Sequence, residues 1–369
     1  MSNHEVRVVR VENITKHPGA DALEVVQIWG YQCLVRKGQF RNGELAAYIE
    51  SDYTVGLNRP EFRFLDDGKG KTRQRITMRR FRGEASYGLL IPAPPGSVEG
   101  DNVMELLGVE RWEPQGNHGG LGGGPTGFLS GICEPGPSMH VPHYDLENFR
   151  KYHRLFNEDD RVIYTTKIHG TSARYLFDQV GGERMMCGSR TTWKKRPGEM
   201  VKTVTFTDPE TNLEVTKDIV APENVWWKAL EQNPWIEMWC RAHPGIALFG
   251  EVYGPNVQGT NFAYGKAQGE YGFAAFDVLD GGRWVDNGEV LDNPAYSDGM
   301  MEMVKVLYRG PLDRQLLMTL AEQGEDQIAY PGQKVREGVV VKLERGERHD
   351  PRLGRVALKF VSDTYLSMK

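Results

Sequence analysis

Residues 162–170 read VIYTTKIHG, a β-branched and aromatic run that ends in a lysine and, three residues later, a glycine. The run predicts a strand over Val162–Thr166, with Lys167 at its end and Gly170 in a tight turn that can lie beside a ligand. A lysine amine at such a place can act as a nucleophile once it has lost its proton. A nearby metal ion or second cation lowers the pKa of the amine and so promotes this loss.

A lysine followed three residues later by a glycine is common in surface turns, so this stretch alone does not indicate a site. Later apolar segments, however, also end in charged residues or are flanked by them. Burying such charges without partners is costly, so we expect them to converge on one polar pocket that holds a metal ion. In chain order they are Arg190, Glu251, Asp277, Glu337, Lys342 and Lys359.

Around these residues the pattern predicts an α+β domain, because its strands do not alternate one-for-one with helices. The predicted strands are Val162–Thr166, Ile246–Gly250, Phe273–Leu279, Gly338–Leu343 and Val356–Val361. The predicted helices are Asp145–Phe156, Asn224–Cys240 and Leu312–Gln323.

The N-terminal part of the chain predicts a small antiparallel β domain, because short apolar strands alternate with turn residues. About five strands at this spacing fit an OB-like barrel, and they also fit other small barrels. The predicted strands are Val6–Val11, Val25–Trp29, Tyr31–Arg36, Leu45–Ile49, Gln74–Met78 and Gly88–Ile91.

Between the two β-rich parts, Gln115–Pro137 is rich in glycine and proline and predicts a linker or loop. A dinucleotide-binding glycine loop is not expected there, because no strand precedes the glycines and no helix pattern follows them. We therefore expect an OB-like domain over residues 1–114, a linker over 115–137 and a second domain over 138–369.

The net charge of −5 gives the chain no overall attraction for nucleic acid, so any nucleic-acid site has to be local. Cations outnumber acidic residues between Arg63 and Arg82, which makes this stretch a candidate. The alternative is a solvated, flexible loop.

Four scattered cysteines without CxxC spacing predict buried thiols, and neither a zinc site nor a disulfide framework. The charged N-terminus lacks the apolar stretch of a signal peptide, and no uncharged run approaches membrane-spanning length. We expect a cytoplasmic monomer without a membrane partner.

The ordered set resembles the motifs of the covalent lysyl-nucleotide superfamily, which comprises DNA ligases, RNA ligases and mRNA capping enzymes. KIHGTS at residues 167–172 and RKY at 150–152 are most similar to RNA ligases of the nick-sealing phage type. Glu251, Glu337 and Lys359 fall at the third, fourth and fifth motifs of the superfamily. The resemblance covers about residues 145–369.

Domain order narrows this resemblance. DNA ligases and capping enzymes carry an OB domain after the nucleotidyltransferase domain, but only ten residues follow Lys359, and we expect no domain there. A preceding β domain is similar to RNA ligases with an N-terminal OB domain, the Naegleria and Deinococcus type. The resemblance implies an OB-like barrel followed by an antiparallel-sheet, ATP-grasp-like ligase domain.

The resemblance also implies a role for each matched residue. Lys167 would attack the α-phosphate of ATP, assisted by Glu251, Lys342 and Lys359 as further catalytic residues. The implied nucleotide-binding residues are Lys167, Gly170, Arg190, Glu251, Phe276, Lys342 and Lys359. Phe276 would stack on adenine, and its alternative is a plain core aromatic. Glu251 would bind the ribose hydroxyls or a metal's waters, and Glu337 would hold Mg²⁺, or Mn²⁺ in its place, through its hydration shell. From the basic run we expect Arg79, Arg80 and Arg82 to contact RNA, together with Arg150 of the RKY stretch.

Two positions depart from the family pattern. Many relatives have two lysines in K-x-K spacing at the fifth motif, whereas this chain has Ala357 before Lys359. Arg355 is a candidate for the missing charge, because steps of two on a strand keep it on the same face. His169 replaces an aspartate of DNA ligases; it either weakens metal anchoring or acts as a structural hydrogen-bonding residue, and we favour the second.

The implied activity is ATP-dependent joining of a 3′-OH RNA end to a 5′-phosphate end through a Lys167–AMP intermediate, in RNA repair. Its partner would be a nicked RNA duplex or broken RNA ends. The alternatives are a ligase that seals DNA or mixed RNA/DNA nicks, and a non-catalytic RNA-binding protein. Intact Lys167, Glu251, Glu337 and Lys359 argue against the last.

Overall fold

The computed structural model describes residues 4–112, 132–207, 214–255, 257–258, 262–293, 296 and 301–368. They form two compact units. The N-terminal unit contains the residues up to Trp112 together with Glu147–Phe156 and the residues from Phe360 onward. The second unit contains the residues up to Leu146 that follow the glycine-rich stretch, and Asn157–Lys359. Most of the predicted linker lies outside the described residues.

Short strands dominate the described residues. In the first part of the chain they are β1 (Arg7–Arg10), β2 (Glu12–Lys16), β3 (Leu23–Ile28), β4 (Tyr31–Arg36), β5 (Leu45–Ile49), β6 (Tyr53–Gly56), β7 (Arg73–Arg75), β8 (Arg79–Phe81), β9 (Glu84–Ser86), β10 (Leu89–Pro92) and β11 (Glu110–Arg111). The next strands are β12 (Cys133–Glu134), β13 (Glu147–Asn148), β14 (Arg161–Lys167), β15 (Thr171–Asp178), β16 (Arg184–Ser189), β17 (Trp193–Lys194), β18 (Met200–Thr207) and β19 (Glu214–Val220). The last are β20 (Ala247–Tyr253), β21 (Gly272–Asp280), β22 (Arg283–Trp284), β23 (Val306–Pro311), β24 (Gly338–Leu343), β25 (His349–Asp350), β26 (Gly354–Arg355) and β27 (Ala357–Val361).

Helices are few and short. They are α1 (Phe149–Tyr152), α2 (Val225–Gln232), α3 (Trp235–Ala242), α4 (Asn287–Asp292), α5 (Arg314–Glu322) and α6 (Asp363–Ser367), with 3₁₀ turns η1 (Pro60–Leu65) and η2 (His153–Leu155). Among the helices described, none is long and apolar enough to cross a membrane.

In the N-terminal unit, β5 pairs with β1 and β10, β2–β3–β4 form a meander, and β6 pairs with β7 and β11. Strand β4 shows the period of two that this arrangement requires, because Tyr31, Cys33 and Val35 are buried and the residues between them are not. The small antiparallel β domain expected from the sequence is confirmed.

Two later segments complete this unit. The Arg150 guanidinium donates to Asp363 Oδ1 at 2.8 Å and lies 4.7 Å from the centre of the Tyr87 ring. Lys151 Nζ lies 2.5 Å from Glu50 Oε1. The predicted helix over Asp145–Phe156 is wrong at its start, because Asn148 caps α1 by accepting a hydrogen bond from the backbone N–H of Arg150.

The second unit is built on an antiparallel sheet with the order β12–β17–β16–β15–β20–β21–β22. Helices α2 and α3 cover one face, where Trp227, Ile236 and Trp239 pack into the core. The predicted continuous helix over Asn224–Cys240 is wrong, because the helical structure is interrupted at Asn233 and Pro234, between α2 and α3.

A further sheet of this unit runs in the order β27–β24–β14–β23. Strands β14 and β24 are antiparallel, and their register places Lys167 opposite Gly338. This α+β arrangement, mostly sheet with few helices, confirms the fold class expected from the sequence.

Candidate active site

The register of β14 and β24 brings the first two predicted site residues together. Since Lys167 pairs with Gly338, the preceding residue Glu337 lies at the end of β14. Its Oε1 atom lies 2.7 Å from Lys167 Nζ. Two charged residues far apart in sequence thus form an ion pair because each stands at the end of an apolar strand.

The β15–β20 pair brings in Glu251, which lies opposite Ser172. The turn before β15 passes very close to β20 at Gly170. A Cβ atom on Gly170 would lie 2.1 Å from the Val252 carbonyl oxygen and 2.9 Å from Glu251 Cγ. Any side chain at Gly170 would therefore push Glu251 out of place, which is the close approach expected of this glycine.

One cavity of the second unit gathers most of the predicted nucleotide-binding residues. Its predicted lining residues are Lys167, Arg190, Glu251, Phe276, Lys342 and Lys359. The sequence did not single out its other lining residues, which are Tyr144, Asp145, Leu146, Thr165, Thr166, Ile168, Ser172, Val304 and Val340. Gly170 and Glu337 adjoin this lining through their contacts with Glu251 and Lys167.

Lys167 and two carboxylates set the electrostatics of the cavity. Burial lowers the pKa of Lys167, but Glu337 and Glu251 outweigh burial and raise this pKa above its ordinary value. Burial raises the pKa of Glu337, yet the Lys167 ammonium outweighs burial and holds this pKa at about 2. For Glu251 burial dominates over the attraction of Lys167 and raises the pKa to about 8. Lys167 is therefore protonated in this state and has to lose a proton before its amine can attack.

Asp277 is a buried hub beside the cavity. Its Oδ2 atom accepts hydrogen bonds from Lys342 Nζ at 2.6 Å and from the Tyr144 hydroxyl at 2.5 Å, and Arg355 Nη2 donates to Oδ1 at 3.1 Å. Burial raises the pKa of Asp277, but Arg355 and Lys342 outweigh burial and lower it. Burial also lowers the pKa of Lys342 to about 8, against the attraction of Asp277. These contacts fit a residue that orients its neighbours Lys342, Tyr144 and Arg355.

Arg355 binds the same Asp277 carboxylate. It lies on β26, separate from the strand of Lys359, and its guanidinium is directed to Asp277. Arg355 is not among the lining residues of the cavity, and Ala357 is buried. Arg355 and Lys342 share the Asp277 carboxylate, and Lys342 lines the cavity, so the contribution of Arg355 from further out stays a prediction.

Phe276 lies on β21, with its ring centre 4.8 Å from that of Tyr144. Its carbonyl oxygen accepts a hydrogen bond from Lys342 Nζ at 2.6 Å. The ring is partly buried, lines the cavity and also packs against a core cluster that includes Tyr144 and Phe249, so adenine stacking on Phe276 stays a prediction. Tyr144 was missed because no spacing in the sequence links it to Asp277.

His169 is held by several contacts. Its backbone N–H donates to the Tyr264 hydroxyl at 2.7 Å, and its Nε2 atom lies 3.2 Å from the Gln258 carbonyl oxygen. Its Nδ1 atom lies 3.5 Å from Glu337 Oε2. These contacts fit the structural hydrogen-bonding role that we favoured for His169.

A second buried hub, not anticipated from the sequence, lies behind Lys167 and Glu337. Glu325 Oε2 accepts hydrogen bonds from Thr166 Oγ1 at 3.2 Å and from Arg336 Nε at 3.0 Å. Thr166 and Arg336 immediately precede Lys167 and Glu337. Glu325 therefore ties together the two strand ends that carry the ion pair.

In the part of the chain that the structure describes, no three His, Cys, Asp or Glu side chains are arranged to hold a metal ion directly. Among the predicted metal residues, Glu337 Oε2 is buried and has no hydrogen-bond donor within 3.5 Å of good geometry in the described part of the chain, although His169 Nδ1 lies 3.5 Å away. Mg²⁺ commonly keeps several waters and is held by one or two carboxylates together with substrate phosphates. Glu337 and Glu251 fit that manner of binding.

The predicted RNA-contacting residues lie in the N-terminal unit. Arg79 and Arg80 are exposed on β8, and Arg82 is exposed in the turn to β9. Arg150 differs from them, because its side chain is largely buried and held by Asp363 and two aromatic rings.

A family model described as RNA ligase matches residues 160–361, and an OB-fold domain model matches residues 5–93. A search of curated proteins found no match. The expected OB-like identity of the N-terminal domain is confirmed.

Solved structures give the same fold along the whole chain. Naegleria gruberi RNA ligase with PPi has a TM-score of 0.74 at 21% identity, covering 100% of this chain and 99% of that one. A lysine-to-alanine mutant of that ligase with ATP and Mn has a TM-score of 0.73 at 22% identity, covering 99% of each chain. The RNA ligase family model matches more than half of the residues of this chain, and the chain therefore belongs to the RNA ligase family.

Proposed function

We propose that the chain is an ATP-dependent RNA ligase that joins a 3′-OH end to a 5′-phosphate end, in RNA repair, through a Lys167–AMP intermediate. The observation that carries the proposal is the single cavity, in a member of the RNA ligase family, where Lys167 meets Glu251, Phe276 and Lys359. It combines a nucleophile, carboxylates for a metal, a ring for a base and a cation for phosphate. The Naegleria structures with ATP and Mn, or with AMP and Mn, support the choice of nucleotide.

Each side chain has a role in the first step. Phe276 stacks on adenine, and Arg190 and Lys359 attract the phosphates. Lys342 is held by Asp277 at the cavity wall and adds positive charge there. Lys167 first releases a proton to solvent, and its Nζ then bonds to the α-phosphorus as the bond to pyrophosphate breaks. Gly170 allows the close approach that places Glu251 beside this reaction.

A divalent ion, Mg²⁺ or Mn²⁺, fits at Glu337 and Glu251. When bound, it supplies charge that neutralises phosphate oxygens and favours the unprotonated lysine amine. Glu337 Oε2, which lies 3.5 Å from His169 Nδ1, would bind the ion or accept hydrogen bonds from its waters. Among the chain's own groups, the 2.7 Å contact with Glu337 holds the Lys167 amine in place until it reacts.

Two phosphoryl transfers then complete the reaction. An oxygen of the RNA 5′-phosphate takes AMP from Lys167, which restores the free amine. The 3′-hydroxyl next attacks the activated 5′-phosphorus and AMP leaves, which closes the phosphodiester bond. Positioning and electrostatic stabilisation provide most of the catalysis in such displacements.

The test is sealing of a nicked RNA duplex with a 5′-labelled phosphate, compared with DNA and mixed RNA/DNA nicks in the same assay. We expect ATP- and metal-dependent sealing with an RNA 3′-hydroxyl end. Preference for an all-DNA nick would favour a DNA ligase, and binding of RNA without any sealing would favour a non-catalytic RNA-binding protein.

A further inference from the structure

The N-terminal unit carries a groove that the adenylylation chemistry does not use. Its walls come from η1, β3, β4 and β7–β10, and we call it the aromatic groove. Two rings line it and remain exposed, Phe64 by 57% and Phe81 by 42%. Its floor is apolar and includes Ile76 and Leu90.

Two exposed phenylalanine rings in one groove differ from scattered surface apolar residues. Neither ring belongs to the two core clusters of this unit. A contiguous exposed apolar surface with a polar rim marks a binding site more often than a structural feature. The rings present flat faces, which suit a flat ligand.

The charges around the groove indicate an anionic ligand. The described lining residues include three arginines and no Asp or Glu, in a chain whose net charge is −5. Arg75 is committed to Asp52 and to the Trp112 ring. Arg36 and Arg79 are exposed, and neither is in an ion pair within the described part of the chain.

We propose that the aromatic groove binds unpaired nucleotides of an RNA strand, with bases stacked on Phe64 and Phe81 and phosphates at Arg36 and Arg79. The proposal rests on the proposed function for its choice of RNA. Bases in a duplex have their faces covered by neighbouring bases, so stacking on side chains selects unpaired nucleotides. The site would hold a single-stranded end or loop of the RNA to be sealed.

The test uses the full chain and a fluorescent single-stranded oligouridine RNA with 5′-OH ends, which cannot be sealed. Fluorescence anisotropy measures its Kd for Phe64→Ala and Phe81→Ala. The matched control is Leu106→Ala, which removes a side chain 60% exposed in the same unit and outside the groove. We expect each phenylalanine variant to raise Kd about tenfold, the control to leave it unchanged, and Phe81→Trp to retain tight binding.

Two further measurements keep the outcome clear. Binding of a blunt RNA duplex should be unchanged in the phenylalanine variants, and Arg36→Ala with Arg79→Ala should lower the salt slope for the single strand by about 0.7 per lost contact. Wild-type Kd in both phenylalanine variants, or equal weakening for single strand and duplex, would overturn the proposal. Tight competition by an unrelated apolar peptide but not by RNA would assign the groove to a protein partner instead.

A self-adenylylation assay distinguishes failure of the groove proposal from failure of the ligase proposal. The phenylalanine variants should take AMP from ATP as the wild-type chain does. If the variants lose single-strand binding while the wild-type chain takes no AMP, the groove stands and the ligase proposal fails. If the wild-type chain seals RNA while the variants bind single strands normally, the groove proposal alone fails.

Discussion

At the residue scale, Glu251 and Glu337 show how one cavity shifts the pKa values of two carboxylates in opposite directions. Glu337 is paired with Lys167, and its pKa is held at about 2. Glu251 lacks so close a cation and its pKa rises to about 8, chiefly through burial. The folded chain therefore binds a proton at Glu251 more tightly than the unfolded chain does.

This difference predicts a pH-dependent effect of Glu251→Gln. Between the ordinary carboxyl pKa and about 8, wild-type stability falls as pH rises, because Glu251 has to ionise in its buried position. Glutamine removes this cost, so Tm should rise by roughly 2–4 °C near pH 9 and change little near pH 5. Calorimetry of the ligand-free chain measures it, and equal destabilisation at both pH values would refute the account of Glu251.

How far single residues could be predicted depends on their chemistry. Lys167, Glu251 and Glu337 stand out because a charge at the end of an apolar strand requires a partner. Tyr144 and Glu325 give no such signal, because a tyrosine in a loop and a glutamate after a helix are ordinary on a surface. Their roles arise from contacts with Asp277 and Thr166, which sequence spacing does not reveal.

At the element scale, two junctions place the reacting groups. The first is the contact of the turn at Gly170 with β20. Gly170→Ala should abolish self-adenylylation and lower Tm, because its Cβ would lie 2.1 Å from the Val252 carbonyl oxygen. The matched control is Gly19→Ala, where the nearest atom to an added Cβ is 3.6 Å away. Normal labelling by Gly170→Ala would show that this contact is dispensable.

The second junction is the Glu325 hub that joins the ends of β14 and β24. Arg336→Met leaves the Glu325 carboxylate buried without its cation, which should destabilise the chain by about 3–5 kcal/mol. The double variant Glu325→Gln, Arg336→Met removes both charges and should recover much of this loss. Chemical denaturation of the single and double variants measures the difference. Equal stability of the two variants would mean that the unpaired Glu325 carboxylate is not what destabilises Arg336→Met.

Sequence patterns predicted strands better than helices here. Strands β4 and β5 agree at both ends, because turn residues precede each of them, Gly30 before β4 and Asn42-Gly43 before β5. Strand β4 also alternates strictly between buried and less buried residues, whereas β5 is buried over Ala46–Ile49. The helix predicted over Asn224–Cys240 failed at Pro234, although proline is a known helix breaker, because the apolar spacing continues across it.

At the scale of the whole molecule, the compact units do not follow one cut along the chain. We expected domains over residues 1–114 and 138–369. In the structure, however, Glu147–Phe156 and the residues from Phe360 onward belong to the N-terminal unit. The contacts of Arg150 with Asp363 and of Lys151 with Glu50 give the reason. Short segments of this kind carry no composition signal, so the sequence could not assign them.

Salt should separate the chemistry from RNA binding in the intact chain. Sealing should fall with added salt more steeply than self-adenylylation, because counterion release penalises only the nucleic-acid step. Neutralising Arg79, Arg80 and Arg82 together should weaken sealing and flatten its salt dependence. The matched control is Lys228→Ala with Arg241→Ala, which removes two exposed cations of the second unit. Identical salt dependence of sealing and labelling would contradict this division.

The most direct test of the central claim is covalent labelling of the full chain with α-radiolabelled ATP and a divalent metal, followed by denaturing electrophoresis. We predict label on the wild-type chain and on Lys228→Ala, and none on Lys167→Ala with its fold intact. Radiolabelled GTP should give no label. Labelling of Lys167→Ala equal to that of the wild-type chain would contradict the assignment of Lys167 as the nucleophile.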